Sequence, residues 1–132
     1  MYHPKTRELD DNMRLACQRV DQILEDRYGK LYDLHPNRPS RGETSNPAMD
    51  GLFNVGTSFT AGYGSVYGRG YAFQVEIATL EQVPLDVRET ILTEAVHLLE
   101  AELVLIFPHR SLEVVREGRS YKIVGDFSLG QI

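Results

Sequence analysis

The sequence holds a single cysteine, Cys17, so no disulfide can form within the chain. A domain of 132 residues needs none, because a chain of this length buries roughly two-thirds of the surface its unfolded form exposes. Long apolar runs are missing too. The longest, 103–107, falls far short of the ~20 residues a membrane helix requires. The first residues, Met-Tyr-His-Pro-Lys-Thr-Arg, are polar and lack the apolar stretch of a signal peptide. The expected location is therefore the cytoplasm, with no membrane partner. An excess of positive charge is also absent. The net charge is −5, whereas duplex binding draws most of its affinity from neutralised phosphates. Nucleic acid is an unlikely partner on that ground. Lysine is scarce, three against eleven arginines. Arginine's planar fork suits carboxylates and phosphates, although codon use in a GC-rich genome produces the same bias.

What the chain does have is ordinary globular composition, 42% hydrophobic and 25% charged. Residues 80–108 carry six acids and one base, and the rest of the chain sums to zero. The acidity thus belongs to one predicted helix.

The periodicities place the elements. Leu9, Met13, Ala16, Val20 and Leu24 recur at spacings of three and four, which predicts a helix over 6–28. Thr6 is placed to cap its start and Gly29 to end it in a left-handed conformation. Residues 30–51 read as an irregular loop with three prolines, long enough to be either functional or disordered. Phe53, Val55, Thr57 and Phe59 alternate with polar or small residues, as do Tyr71, Phe73, Val75 and Ile77. Period two predicts two half-buried strands, joined by a Gly/Tyr-rich loop at 60–70. A second helix starts near Pro84–Asp86 and must end before Pro108. Its apolar row is Leu92, Val96, Leu99, Leu103 and Ile106, widened by Ile91, Ala95 and Leu98. Its last turn is apolar almost all round, which predicts cover by another surface. A second hairpin, 112–116 and 120–124, turns at Gly118.

These elements predict one α+β domain spanning 1–132, in the order α-β-β-α-β-β. Two helices would cover one face of a four-stranded, mainly antiparallel sheet. A ferredoxin-like fold with its first strand moved to the C-terminus would show this order.

The most unusual stretch for function is the Gly/Tyr loop. Its glycines let backbone amides approach an anion, so Gly64 and Gly68 could cradle one while Arg69 adds a fork and Tyr63 a wall. A flexible connector is the plainer alternative. Dinucleotide and P-loop motifs are excluded, since a strand rather than a helix follows and no Gly-Lys-Ser/Thr is present. From the long loop, Arg38 and Arg41 could join Arg69 on a carboxylate or phosphate, with His35 or Asp50 carrying protons. A solvated loop is the alternative there.

Glu94-x-x-His97 occurs once, where a di-metal helix bundle would need it twice, so no metal site is assigned. His109 and Arg110 suit a helix C-terminus. Cys17, beside an apolar stripe, behaves as a small hydrophobe. No catalytic residue and no cofactor is assigned. The expectation is a binding or assembly module that pairs with itself or another protein. The alternative is an enzyme or sensor for a small anionic metabolite or nucleotide at the Gly/Tyr loop.

Overall fold

The apolar stripe of the first helix is wholly spent on the core. Helix α1 (Pro4–Tyr28) buries Met13, Ala16, Val20 and Leu24 to 1% exposure or less. It starts two residues earlier than the sequence predicts, on Pro4, whose missing N–H is no loss in a first turn. Gly29 does end the helix, donating to the Glu25 carbonyl at 2.8 Å, but not in a left-handed conformation. Glycine is needed there because a Cβ would stand 2.5 Å from that same carbonyl. The computed structural model describes residues 4–46, 49–62, 67–125 and 127, and the side chains of 4–6 lie outside the description.

Strands β1 (Phe53–Thr60) and β2 (Gly70–Ile77) pair antiparallel through all eight positions, from Phe53 opposite Ile77 to Thr60 opposite Gly70. Helix α2 (Leu85–Ile106) follows. Strands β3 (Leu112–Glu117) and β4 (Ser120–Gly125) form the second hairpin, with Gly118 at φ +67 in the turn. The sheet order is β1-β2-β4-β3, and every neighbouring pair is antiparallel. That order sets β4 between β2 and β3, as the permuted ferredoxin-like arrangement requires. It leaves β1 and β3 as the sheet edges.

Register decides which side chains share a face, because residues directly opposite one another point the same way. Phe53, Val55, Phe73, Ile77 and Ile123 lie on the helix-facing side and are buried with the stripes of α1 and α2. Each fully buried side chain of this size contributes about 1.5–3 kcal/mol. The opposite face exposes Ser58, Gln74 and Glu76. Lys122 and Val124 are buried there, at 4% and 8% exposure, and the Lys122 ammonium donates to the Gly68 carbonyl of the 60–70 loop.

In α2 the buried residues are Ile91, Ala95, Val96, Leu99 and Leu103. Leu92 and Ile106 are only half-buried, so the buried face is rotated from the predicted row. Val104 and Leu105 are each 70% exposed, so among the described residues that side of the last turn is not covered, while Leu103 is buried. No helix among the described residues is long and apolar enough to cross a membrane.

Candidate functional site

The 30–51 loop is held by its own arginines. Arg38 donates from Nε to the Gly51 carbonyl at 2.9 Å, and from its terminal nitrogen to the carbonyls of Asp50 and Phe53, each at 3.0 Å. Arg41 reaches three carboxylates: Asp50 at 3.0 Å, Glu25 at 3.2 Å and Asp21. Each carboxylate also takes backbone or hydroxyl donors. Asp50 accepts from the Thr44 hydroxyl at 2.8 Å and the Thr44 amide at 3.0 Å. Glu25 accepts from the Leu52 amide at 3.0 Å, and Asp21 from the Val55 amide at 3.4 Å. One cation therefore ties α1, the loop and β1 together. Gly51 makes room for it: at φ +74, a Cβ would lie 2.8 Å from the Arg41 Nε and 2.9 Å from the Glu25 carboxyl.

Burial sets the electrostatics here. It pushes the Asp21 carboxyl up to about 6, against the pull of Arg41 and the Val55 amide. Asp50 is just as buried, yet the Thr44 donors, Arg41 and the Gly42 amide outweigh that and hold it below the usual carboxylate range.

Of the eight residues expected at an anion site, Arg38, Arg41 and Asp50 meet within the 30–51 loop, while Gly68 and Arg69 lie elsewhere. Arg38 holds the Phe53 end of the hairpin, whereas Arg69 precedes Gly70, which pairs with Thr60 at the other end. Seven residue steps at ~3.3 Å separate the two ends by about 23 Å. Arg69 is exposed, and the Gly68 carbonyl serves Lys122. His35 is a loop support: its amide donates to the Ala78 carbonyl at 2.9 Å, and its Nδ1 accepts from the Asn37 amide at 3.1 Å. Tyr63 and Gly64 lie outside the described residues. Glu94 ties the helices together by accepting from Tyr28 and Arg27, which holds its carboxyl below the ordinary value.

A different site is present where α1 crosses the edge of β1. It is a cleft of about 410 Å³. Met13, Cys17, Val55 and Tyr71 form its buried floor, and Arg14 and Phe59 stand on its rim. The Tyr71 hydroxyl donates to Asp10 at 2.8 Å, and its ring is held edge-on between Phe59 at 5.7 Å and Phe127 at 5.4 Å. Burial pushes the Cys17 thiol up to about 11, with the Thr57 hydroxyl as a weaker opposing contact, so the thiol stays protonated.

The β1 edge beside this cleft is half closed. The Leu52 carbonyl accepts from Ala78, on the β2 side, whereas the Val55 amide and Phe53 carbonyl point the other way, to Asp21 and Arg38. Strand groups alternate in direction, so the odd-numbered residues of β1 turn their N–H and C=O outward. The Phe53 carbonyl and the Val55 amide are capped in this way. Among the described residues, nothing bonds the outward backbone groups of Thr57 and Phe59.

Little in the sequence marks this site. Asp21 gave the one signal, a carboxylate flanking an apolar stripe and one turn from Cys17, where burial demands a partner. Nothing local marks Thr57 and Phe59 as an open edge, because that depends on strand order.

Residues 4–125 match the model of a family described as "Uncharacterised protein". The chain belongs to that family. A relative from Borreliella burgdorferi, described as "Uncharacterized protein", is 42% identical over 123 residues, covering 93% of this chain and 96% of the relative. The family's span runs from the first turn of α1 to the last residue of β4, and so takes in the cleft and both edges of the sheet. No solved structure matches the chain.

Proposed function

We propose that this protein is a non-enzymatic binding and assembly module that accepts an added β-strand along the outer half of β1. One observation carries this reading. The edge is capped at the Phe53 carbonyl and the Val55 amide, and among the described residues both outward backbone groups of Thr57 and of Phe59 are open, beside a cleft with an apolar floor. An unpaired edge is a template for another strand, and natural sheets usually cover or blunt it. In strand addition the main-chain bonds give affinity, while alternate side chains entering pockets give specificity. Here the helix-facing side chains of an incoming strand would enter the cleft. The chemistry of the cleft fits binding better than catalysis. Its thiol is protonated, and the Asp21 carboxylate is engaged by Arg41 and the Val55 amide. The single buried thiol suits a reducing compartment, in keeping with a cytoplasmic protein.

Thr57→Pro tests the reading. The Thr57 amide faces away from β2, so proline there removes no ladder bond within the sheet, and Gly56 before it has no Cβ to clash. The fold should survive, as read by circular dichroism and a melting curve. The association of the parent with itself, or with peptides panned from an unbiased displayed library, should weaken tenfold or more, about the worth of one lost hydrogen bond and a steric block. Association that survives the proline unchanged, or no association of either kind in the parent, would contradict the reading.

A further inference from the structure

We infer that the strand added to β1 is β1 of a second copy, paired antiparallel about a two-fold axis at Ser58. The inference rests on the strand-addition reading and names its occupant. The capping pattern itself selects the register. Outward-facing residues are the odd ones, so a two-fold pairing of β1 with its copy can centre on Thr57, Ser58 or Phe59. Centring on Thr57 sets Val55 opposite Phe59 of the copy and requires the Val55 amide, which Asp21 already holds. Centring on Phe59 pairs Thr57 with residue 61, past the end of β1 at Thr60. Centring on Ser58 pairs Thr57 with Phe59 of the copy, and Phe59 with Thr57 of the copy. That arrangement makes four N–H···O=C bonds from the groups left open and disturbs neither cap.

The side chains agree. Phe59 is 59% exposed although it lies on the helix-facing side of the strand. In this register it stands over Thr57 of the copy, which lines the cleft with Cys17, so each phenyl ring covers the open side of the other cleft. Symmetric pairs are the commonest assembly, and an isologous contact needs only one self-complementary patch. The product is a continuous eight-stranded sheet whose remaining edges are the two β3 strands.

The register has a covalent signature. Ser58 is exposed on the face away from the helices and meets Ser58 of the copy in a non-hydrogen-bonded pair. Such pairs have Cα atoms ~4.5 Å apart, within the ~4.4–6.8 Å that a disulfide spans. Ser58→Cys should give a disulfide-linked dimer in most molecules under mild oxidation. Thr60→Cys, which meets Gly56 of the copy, should not, and neither should the parent, whose only thiol is buried. Sedimentation of the unmodified parent at micromolar concentration should show a dimer. A parent that stays monomeric at 100 µM (a concentration of about 10⁻⁴ M on the affinity scale) overturns the inference. If library peptides then still bind the parent but not Thr57→Pro, strand addition itself stands with a different occupant. A dimer in which Thr60→Cys cross-links as well as Ser58→Cys, or in which Ser58→Cys does not, also overturns it.

Discussion

Arg41→Ala should lose about 3–5 kcal/mol of folding stability at pH 7, the usual cost of leaving buried charge without its partner. That is a large share of the ~5–15 kcal/mol that holds a domain together. For a chain of this length it corresponds to a fall in melting temperature of roughly 10–20 °C. The size follows from what Arg41 neutralises. Asp21 and Asp50 are each 1% exposed, and Glu25 sits with them around the same guanidinium. Arg41→Lys should recover only part of the loss, because one ammonium cannot reproduce a fork that reaches three carboxylates.

The defect should also shrink on acidification from pH 7 to pH 5. The Asp21 carboxyl is raised from 3.8 to about 6 in the folded protein, with burial as the main cause and Arg41 opposing it. Between those values the folded state keeps a proton that the unfolded chain has lost. The contribution of this group therefore falls as pH rises through that window. Removing Arg41 removes the opposing attraction, so protonation of Asp21 relieves the variant more than the parent. Asp50 and Glu94 act with the opposite sign: both are lowered, and what they contribute is lost as pH falls. Melting curves of parent and variant at pH 5 and pH 7 give the comparison directly. A defect that grows on acidification would contradict the assignment.

Phe53→Ala should cost about 3–5 kcal/mol, as truncation of a fully buried phenylalanine does. Phe59→Ala should cost about 0.5–1.5 kcal/mol, the worth of its edge-on contact with Tyr71. The two residues share a strand and a face. Phe53 is wholly buried and Phe59 is 59% exposed, because α1 closes over one end of β1 and leaves the other as the rim of the cleft. Phe59→Ala should instead weaken assembly, since its ring covers the neighbouring cleft. Equal melting temperatures for the two variants would contradict this division of labour. Denaturant titration and sedimentation separate the two effects.

The same pair shows how far the sequence could be read. Alternation placed both phenylalanines on the buried face of a strand, and both do face the helices. The stripe of α1, the hairpins and the element order were legible because each follows from local periodicity. The rotated face of α2 was not, since Leu92 and Ile91 are equally apolar and only packing chooses between them. The arginines of the 30–51 loop were visible as anion binders. Within this chain their partners are backbone carbonyls for Arg38 and, for Arg41, the carboxylates of α1 and Asp50, which are distant or unremarkable in sequence. The open half of β1 was beyond local reading, because β1 is an edge only since β4 pairs with β2 and, among the described residues, no strand pairs with the outer side of β1.

The most direct measurement is amide hydrogen exchange at Thr57 and Phe59. Both amides point away from β2, so nothing among the described residues of one chain protects them, whereas those of Gly56 and Ser58 are held by the ladder. In the concentrated, assembled protein, Thr57 and Phe59 should exchange as slowly as Gly56 and Ser58, and should become fast on dilution. Fast exchange at Thr57 and Phe59 at every concentration, beside protected Gly56 and Ser58, would contradict strand addition at this edge.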